Sequence, residues 1–178
     1  QSVQVIDAKT LQNLNITRLD TALDLSSGIS RQNNFGGLWD NYSIRGFSGS
    51  ENGGMNILWN GFASNRGYAP PRDTANVESI DFLKGPAAAL YGNSEPGGTI
   101  NLVRKRARSQ LGLSANLSAG AWDMRRADVD ITGSLNATGS LRGRVVVVSD
   151  ERKSFVDTLS NDKQAGYGTV ELDINAAT

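Results

Sequence analysis

Hydrophobic and polar positions follow two different regimes along the chain, and the change falls just after residue 106. The first regime mixes short patterns. Ser2 to Ile6 alternates weakly, with Val3 and Val5 on one face, and predicts a strand. Asp7 is placed to cap a helix over 8–14. Thr17 or Asp20 is placed to cap a second, with Leu19, Ala22, Leu23 and Leu25 toward a core and Ser26-Ser27-Gly28 ending it. Residues 32–41 are polar and include Gly36-Gly37, a loop. Tyr42 to Phe47 predicts a strand running into a turn. Met55 to Trp59 predicts another, closed by the Asn60-Gly61 turn signal. Residues 62–73 read as a long loop. Val77, Ile80, Phe82 and Leu83 then form a strand pattern that Gly85-Pro86 stops. Pro86 and Ala87 to Leu90 favour a short helix, with Gly92 at its C-cap, and Thr99 to Val103 alternates toward a further strand. On residues alone, 77–106 is a βαβ-like piece of an α+β domain.

Beyond Arg106 the period becomes two. Leu111, Leu113, Ala115, Leu117 and Ala119 alternate with small or polar residues. Val129, Ile131 and Leu135 alternate with Asp128, Asp130, Thr132 and Ser134. Leu141 to Val148 carries Arg142 and Arg144 on one face, with imperfect alternation at Val146 and Val148. Glu151 to Ala165 reads as a polar loop. In 168–176, Val170, Leu172 and Ile174 oppose Thr169, Glu171, Asp173 and Asn175. Alternating segments of this length are the pattern of transmembrane β-strands. A soluble meander with one dry face has the same pattern.

Composition removes several function classes. The 178 residues carry 18 Lys+Arg and 18 Asp+Glu, so no basic field invites nucleic acid. Cysteine and histidine are both absent, which excludes a disulfide framework, a Ser-His-Asp arrangement and the commonest metal ligand. The glycine-rich stretch Gly92 to Thr99 has no lysine for a phosphate-binding loop. Asp128 and Asp130 have the spacing of a polar strand face, not of a glycosidase pair. No enzyme, resident cofactor or protein metal site is expected. No stretch approaches the roughly 18 apolar residues of a spanning helix, and Gln1 to Asp7 lacks a signal-peptide pattern.

The thirty residues from Val77 to Arg106, VESIDFLKGPAAALYGNSEPGGTINLVRKR, resemble the plug signature of TonB-dependent outer-membrane receptors, of the ferric-siderophore type. The motif positions are Gly85, Pro86, Tyr91, Gly92, Pro96, Gly97 and Gly98. Ile44, Arg45, Gly46 and Phe47 match the family's IRGF, and Gly28-Ile29 stands where the family has PGV, without the proline. The resemblance implies an α+β plug, a small mixed sheet with short helices over residues 1–108. It is followed in 109–178 by the first four antiparallel strands of an incomplete barrel. Such barrels have about 22 strands, and four cannot satisfy their own edges in lipid, so a fragment of a longer receptor is expected.

The implied function is import of a ferric siderophore across the bacterial outer membrane. The plug occludes the lumen and TonB acts from the periplasmic side. No coupling segment for TonB is evident in the sequence. Iron is expected only as a chelate. Arginine forks and tyrosine faces suit an oxygen-rich chelate. By position relative to IRGF and Asn60-Gly61, the ligand loops are 33–40, 49–54 and 64–71. Their candidate contacts are Arg66 and Tyr68, then Glu51 and Asn52. Arg45 and Arg106 match the family's plug–barrel ion-pairing arginines. Vitamin B12, a sugar or another metal chelate are other cargoes. The rival reading is a soluble carbohydrate- or protein-interaction domain with its strands packed as a small sandwich.

Overall fold

The computed structural model describes residues 2–32, 38–48, 55–63, 70–85, 95–154 and 156–174. Two compact units divide the chain, Gln1–Lys105 and Arg106–Thr178.

The first unit opens with β1 (Ser2–Asp7) and α1 (Ala8–Asn13). Asp7 ends the strand and caps the helix, its carboxylate accepting from Thr10 N at 2.8 Å, so an otherwise orphaned amide is satisfied. α2 (Leu19–Leu23) has Arg18 at its N-cap with no side-chain cap bond. Neither Thr17 nor Asp20 caps it. Asp20 instead sits in the first turn, where negative charge suits the helix dipole, and pairs with Arg18 at 3.3 Å. Leu19, Ala22 and Leu23 are buried as expected, but Leu25 lies past the helix and is exposed. β2 (Ile29–Arg31), β3 (Tyr42–Ile44) and β4 (Phe47–Ser48) make a small antiparallel sheet.

The larger sheet of this unit adds β5 (Met55–Trp59), β6 (Phe62–Ala63), β7 (Val77–Lys84) and β8 (Gly98–Arg104), in the order β1-β7-β8-β5-β6. It is mixed: β5 and β8 are parallel, and the other neighbours antiparallel. Asn60 and Gly61 both have positive φ, 50° and 84°, and close the β5–β6 hairpin; this twist matches that of the strands. That hairpin also takes two residues from the expected long loop. β7 and β8 pair antiparallel, so a βαβ reading of 77–106 is wrong in its strand direction. The helix expected after Pro86 lies outside the described residues. Ile6, Leu19, Leu23, Tyr42, Ile44, Ile80, Phe82, Ile100 and Leu102 form the core between sheet and helices. Val3 and Val5 lie on the opposite face of β1 and are exposed.

The second unit is a four-stranded antiparallel sheet of β9 (Gly112–Gly120), β10 (Met124–Ser134), β11 (Leu141–Lys153) and β12 (Ser160–Leu172), each paired with the next. The expected polar loop 151–165 shrinks to a short connection. Asn161 pairs with Arg152 and Lys163 with Asp150. Both faces are polar at this level, so period-two hydrophobicity vanishes although the ladder continues.

Candidate functional site

The sheet of the second unit is inverted relative to a water-soluble one. Along β9 the leucines and alanines are exposed while Gly112, Ser114, Asn116 and Ser118 are half-buried. Leu113, Leu117, Val145, Val147 and Val170 are all exposed. Register aligns these residues in rows: Leu113 with Ile131, Val145 and Gly168, then Ala115 with Val129, Val147 and Gly166. The apolar band runs along β11 from Leu141 to Ser149. Eight steps of about 3.4 Å make roughly 27 Å along the strand, or about 21 Å after a tilt near 40°. It ends at a row containing Arg125, Glu151 and Asp162. A band of about 21 Å, closed at that end by charged residues, suits the exterior of a membrane-spanning strand set, whose apolar band is about 25 Å tall. Val146 and Val148 keep the period: they are buried on the face opposite Val145 and Val147.

The other face carries charge in pairs. Arg144 donates from Nε and Nη2 to both oxygens of Asp130, at 2.8 and 2.7 Å, with both residues buried. Arg126 donates to Asp150 at 3.2 Å and to Asp128 at 3.3 Å, and Asp128 accepts from Asn116 at 2.8 Å. Asp150 also holds Arg152 and lies 3.8 Å from Lys163. At one end Arg106 forks onto Glu171, at 3.2 and 2.8 Å, and Ala107 N donates to the same carboxylate. Arg142 reaches Asp173 at 2.6 Å. Buried charges persist only when paired in this way. Asp130, Arg144, Arg126 and Asp150 were not singled out from sequence as site residues. Their clearest signal was in β10, where Arg126, Asp128, Asp130 and Thr132 stand at every second position.

In the first unit the motif glycines set backbone geometry. Gly98 has φ 139°, and a Cβ there would stand 2.3 Å from Leu83 O, a distance no side chain tolerates. Gly85 N donates to Gly97 O at 3.0 Å. Arg45 and Gly46 occupy a left-handed turn with φ 53° and 81°. Arg45 N donates to Gly28 O at 2.7 Å, and its guanidinium lies over Gly85, where a Cβ would come within 3.3 Å of Nη1. Pro96 is exposed. Pro86, Tyr91 and Gly92 lie outside the described residues, as do Arg66, Tyr68, Glu51 and Asn52.

The ends of two expected ligand loops are nonetheless joined. Asp40 Oδ2 accepts from Arg72 N at 2.9 Å and from Arg72 Nη1 at 3.2 Å, while Tyr42 donates its hydroxyl to Asp40 Oδ1 at 2.5 Å. Burial raises the Asp40 carboxyl above its usual range against these hydrogen bonds. Burial and the Asp40 charge push the Tyr42 phenol well above its ordinary value. Arg72 O accepts from Leu19 N and Thr74 Oγ1 donates to Ile16 O, at 3.0 and 2.6 Å, so this clasp is tied to the start of α2.

Comparison with known proteins agrees with this geometry. The family model for the TonB-dependent receptor plug domain matches residues 1–99. The metal-pseudopaline receptor CntO of Pseudomonas aeruginosa is 40% identical over 88% of this chain. The ferripyoverdine receptor of the same species is 30% identical over all of it. The chain spans 22% of the length of either relative. The solved pyoverdine outer membrane receptor FpvA of P. aeruginosa, bound to pyoverdine, superposes with a TM-score of 0.87 at 30% identity, over 98% of this chain and 26% of that one. The ferric-catecholate receptor Fiu of Escherichia coli, at 24% identity and TM-score 0.81, shares the fold. A matched plug, followed by a sheet that is apolar on one face and ion-paired on the other, makes this chain a member of the TonB-dependent receptor family, comprising the plug domain and first barrel strands.

Proposed function

We propose that the chain is the plug and opening barrel strands of an energy-coupled receptor that binds a ferric siderophore at the cell exterior and imports it, with TonB acting from the periplasm. The observation that carries this reading is the plug match over residues 1–99, joined to relatives named for ferripyoverdine and other siderophores. Cargo meets the plug at Arg66 and Tyr68, with Glu51 and Asn52 beside them. Ligand acts only by binding one plug state better than another. Arg45 and Arg106 hold the plug in the lumen through ion pairs with barrel carboxylates, and the Arg106–Glu171 fork supports that role for Arg106.

A second cargo has a specific observation behind it. The 40% relative is named for metal-pseudopaline, and it is closer in sequence than the 30% ferripyoverdine relative. One experiment separates the two. Binding of ferric siderophores and of metal-pseudopaline is measured on the full-length receptor, then on Arg66→Ala and Tyr68→Ala forms. The proposal expects tight binding of a ferric siderophore, weakened by either change. Tight binding of metal-pseudopaline alone replaces the cargo. Unchanged affinity in both variants removes these residues as contacts.

A further inference from the structure

The apolar face of the second unit has a dent where its hydrophobic band ends. Small side chains make it. Ala127 on β10 stands between Leu117 on β9 and Ser149 on β11, and Ala119 lies one row nearer the end of the band. These residues line a shallow, open depression of about 390 Å³, with Arg125 and Glu151 at its edge. Alternate positions of three adjacent strands supply all six, so the depression belongs to the face that carries Val145 and Val147. An apolar floor with a few charged groups at one side is the build of a pocket for an amphipathic ligand.

The charges at that edge do not balance. Arg125, Glu151 and Asp162 stand side by side across β10, β11 and β12, and all three are exposed. Arg125 and Glu151 are direct cross-strand partners, yet among the described residues none of the three is held in an ion pair. Glu151 and Asp162 are also directly opposite, and like charges so placed repel. Just beyond them, Lys153 is taken up by Asp123 at 2.6 Å. Two cations, Arg125 and Lys153, thus face three carboxylates, Asp123, Glu151 and Asp162. The group this edge lacks is a positive one, placed between Glu151 and Asp162.

We propose that this dent seats a membrane lipid with a phosphoethanolamine headgroup. The ammonium sits between Glu151 and Asp162, where its three N–H donors meet two carboxylates. The phosphate, two carbons away, falls to the neighbouring guanidinium of Arg125, a shape suited to phosphate oxygens. An acyl chain runs from there over Ala119 and Ala127 beside Leu117, into the apolar band. The charge pattern selects this headgroup. A lipid with phosphate alone satisfies Arg125 but sets another anion beside two carboxylates. The quaternary ammonium of a choline headgroup has no N–H to donate. The seat is separate from the cargo loops and holds whichever chelate the receptor carries; it rests on the apolar face meeting lipid.

The test reconstitutes the full-length receptor in nanodiscs of phosphatidylethanolamine, phosphatidylcholine and phosphatidylglycerol in equal parts. Lipids still bound after transfer to mild detergent are counted by native mass spectrometry. Phosphatidylethanolamine is expected to be retained over both competitors. The Glu151→Gln, Asp162→Asn double variant is expected to lower its retention about two- to fivefold, while phosphatidylglycerol is held as well as before or better. Arg125→Gln lowers retention of phosphatidylethanolamine too. Ala127→Leu fills the dent with every charge kept, and is expected to lower it as well; Ala119→Leu serves if that variant does not fold. Asp157→Asn removes an exposed carboxylate from the β11–β12 connection, away from the dent, and is expected to change nothing. Equal or better retention of phosphatidylglycerol or phosphatidylcholine by the native receptor overturns the proposal. So does displacement of phosphatidylethanolamine by added lipopolysaccharide, or a double variant whose preference matches that of the native receptor.

Discussion

Arg144 and Asp130 meet diagonally across β10 and β11, joined by two hydrogen bonds of 2.8 and 2.7 Å on a buried face. In register Arg144 stands opposite Thr132 and Asp130 opposite Val146. Arg144 also donates to Arg106 O at 3.0 Å, so one guanidinium fixes both the strand pair and the chain segment entering the sheet. Removing either partner leaves the other charge buried. Arg144→Met or Asp130→Ala is therefore expected to cost about 3–5 kcal/mol in the folded receptor. The Arg144→Met, Asp130→Leu pair is expected to recover most of that loss. Urea unfolding of the receptor in lipid vesicles measures it; losses that simply add in the double variant contradict the pairing.

The outward band makes a depth-dependent prediction. Val147 sits mid-band, while Ala119 lies in the row of Arg125, Glu151 and Asp162. An arginine at the first site enters hydrocarbon, and at the second it joins a charged rim. Val147→Arg is expected to cost about 2–4 kcal/mol and Ala119→Arg about 0–1 kcal/mol. Equal costs in vesicles mean that this face does not meet lipid.

Two motif glycines separate space from backbone conformation. Gly98→Ala drives a Cβ into Leu83 O at 2.3 Å, whereas Gly46→Ala meets nothing within 4 Å and has only an unfavourable φ of 81°. Gly46→Ala is expected to cost about 1–2 kcal/mol. Gly98→Ala is expected to cost more than that, because the β7–β8 pairing itself must shift. Chemical denaturation followed by plug tryptophan fluorescence compares them, and a milder effect at Gly98 contradicts the geometry.

Asp40 gives a pH dependence with a definite sign. Burial raises its carboxyl above the ordinary 3.8, so the native state holds the proton more tightly than the unfolded chain. Its favourable share of stability is fully present below 3.8 and is lost as pH rises through the raised native value. Asp40→Asn cannot titrate. The stability of wild type minus that of Asp40→Asn is therefore expected to fall as pH rises from below 3.8 through that value. A flat difference, or one that grows, contradicts the assignment.

Much of this architecture was legible in the residues, for identifiable reasons. Asp7 before a helix-forming run, Asn60-Gly61 after a strand and Leu111 to Ala119 in strict alternation each act through neighbouring residues only. The misreadings came from non-local terms. The antiparallel pairing of β7 with β8 depends on where the chain returns, which local propensity does not contain. The extension of β11 and β12 past residue 150 depends on cross-strand charge pairs such as Asp150 with Lys163, which carry no hydrophobic period. The Asp40–Arg72 clasp joins residues 32 positions apart, and no local pattern links them. The lumen-facing ladder was visible as polarity, but its specific partners required the register.

The proposed TonB-energised uptake of a ferric siderophore is measured by accumulation of the radiolabelled chelate. Cells expressing the full-length receptor are compared in TonB-containing and TonB-deleted backgrounds. Surface binding is expected in both and accumulation only with TonB. No binding of any ferric siderophore, or accumulation that persists without TonB, contradicts it.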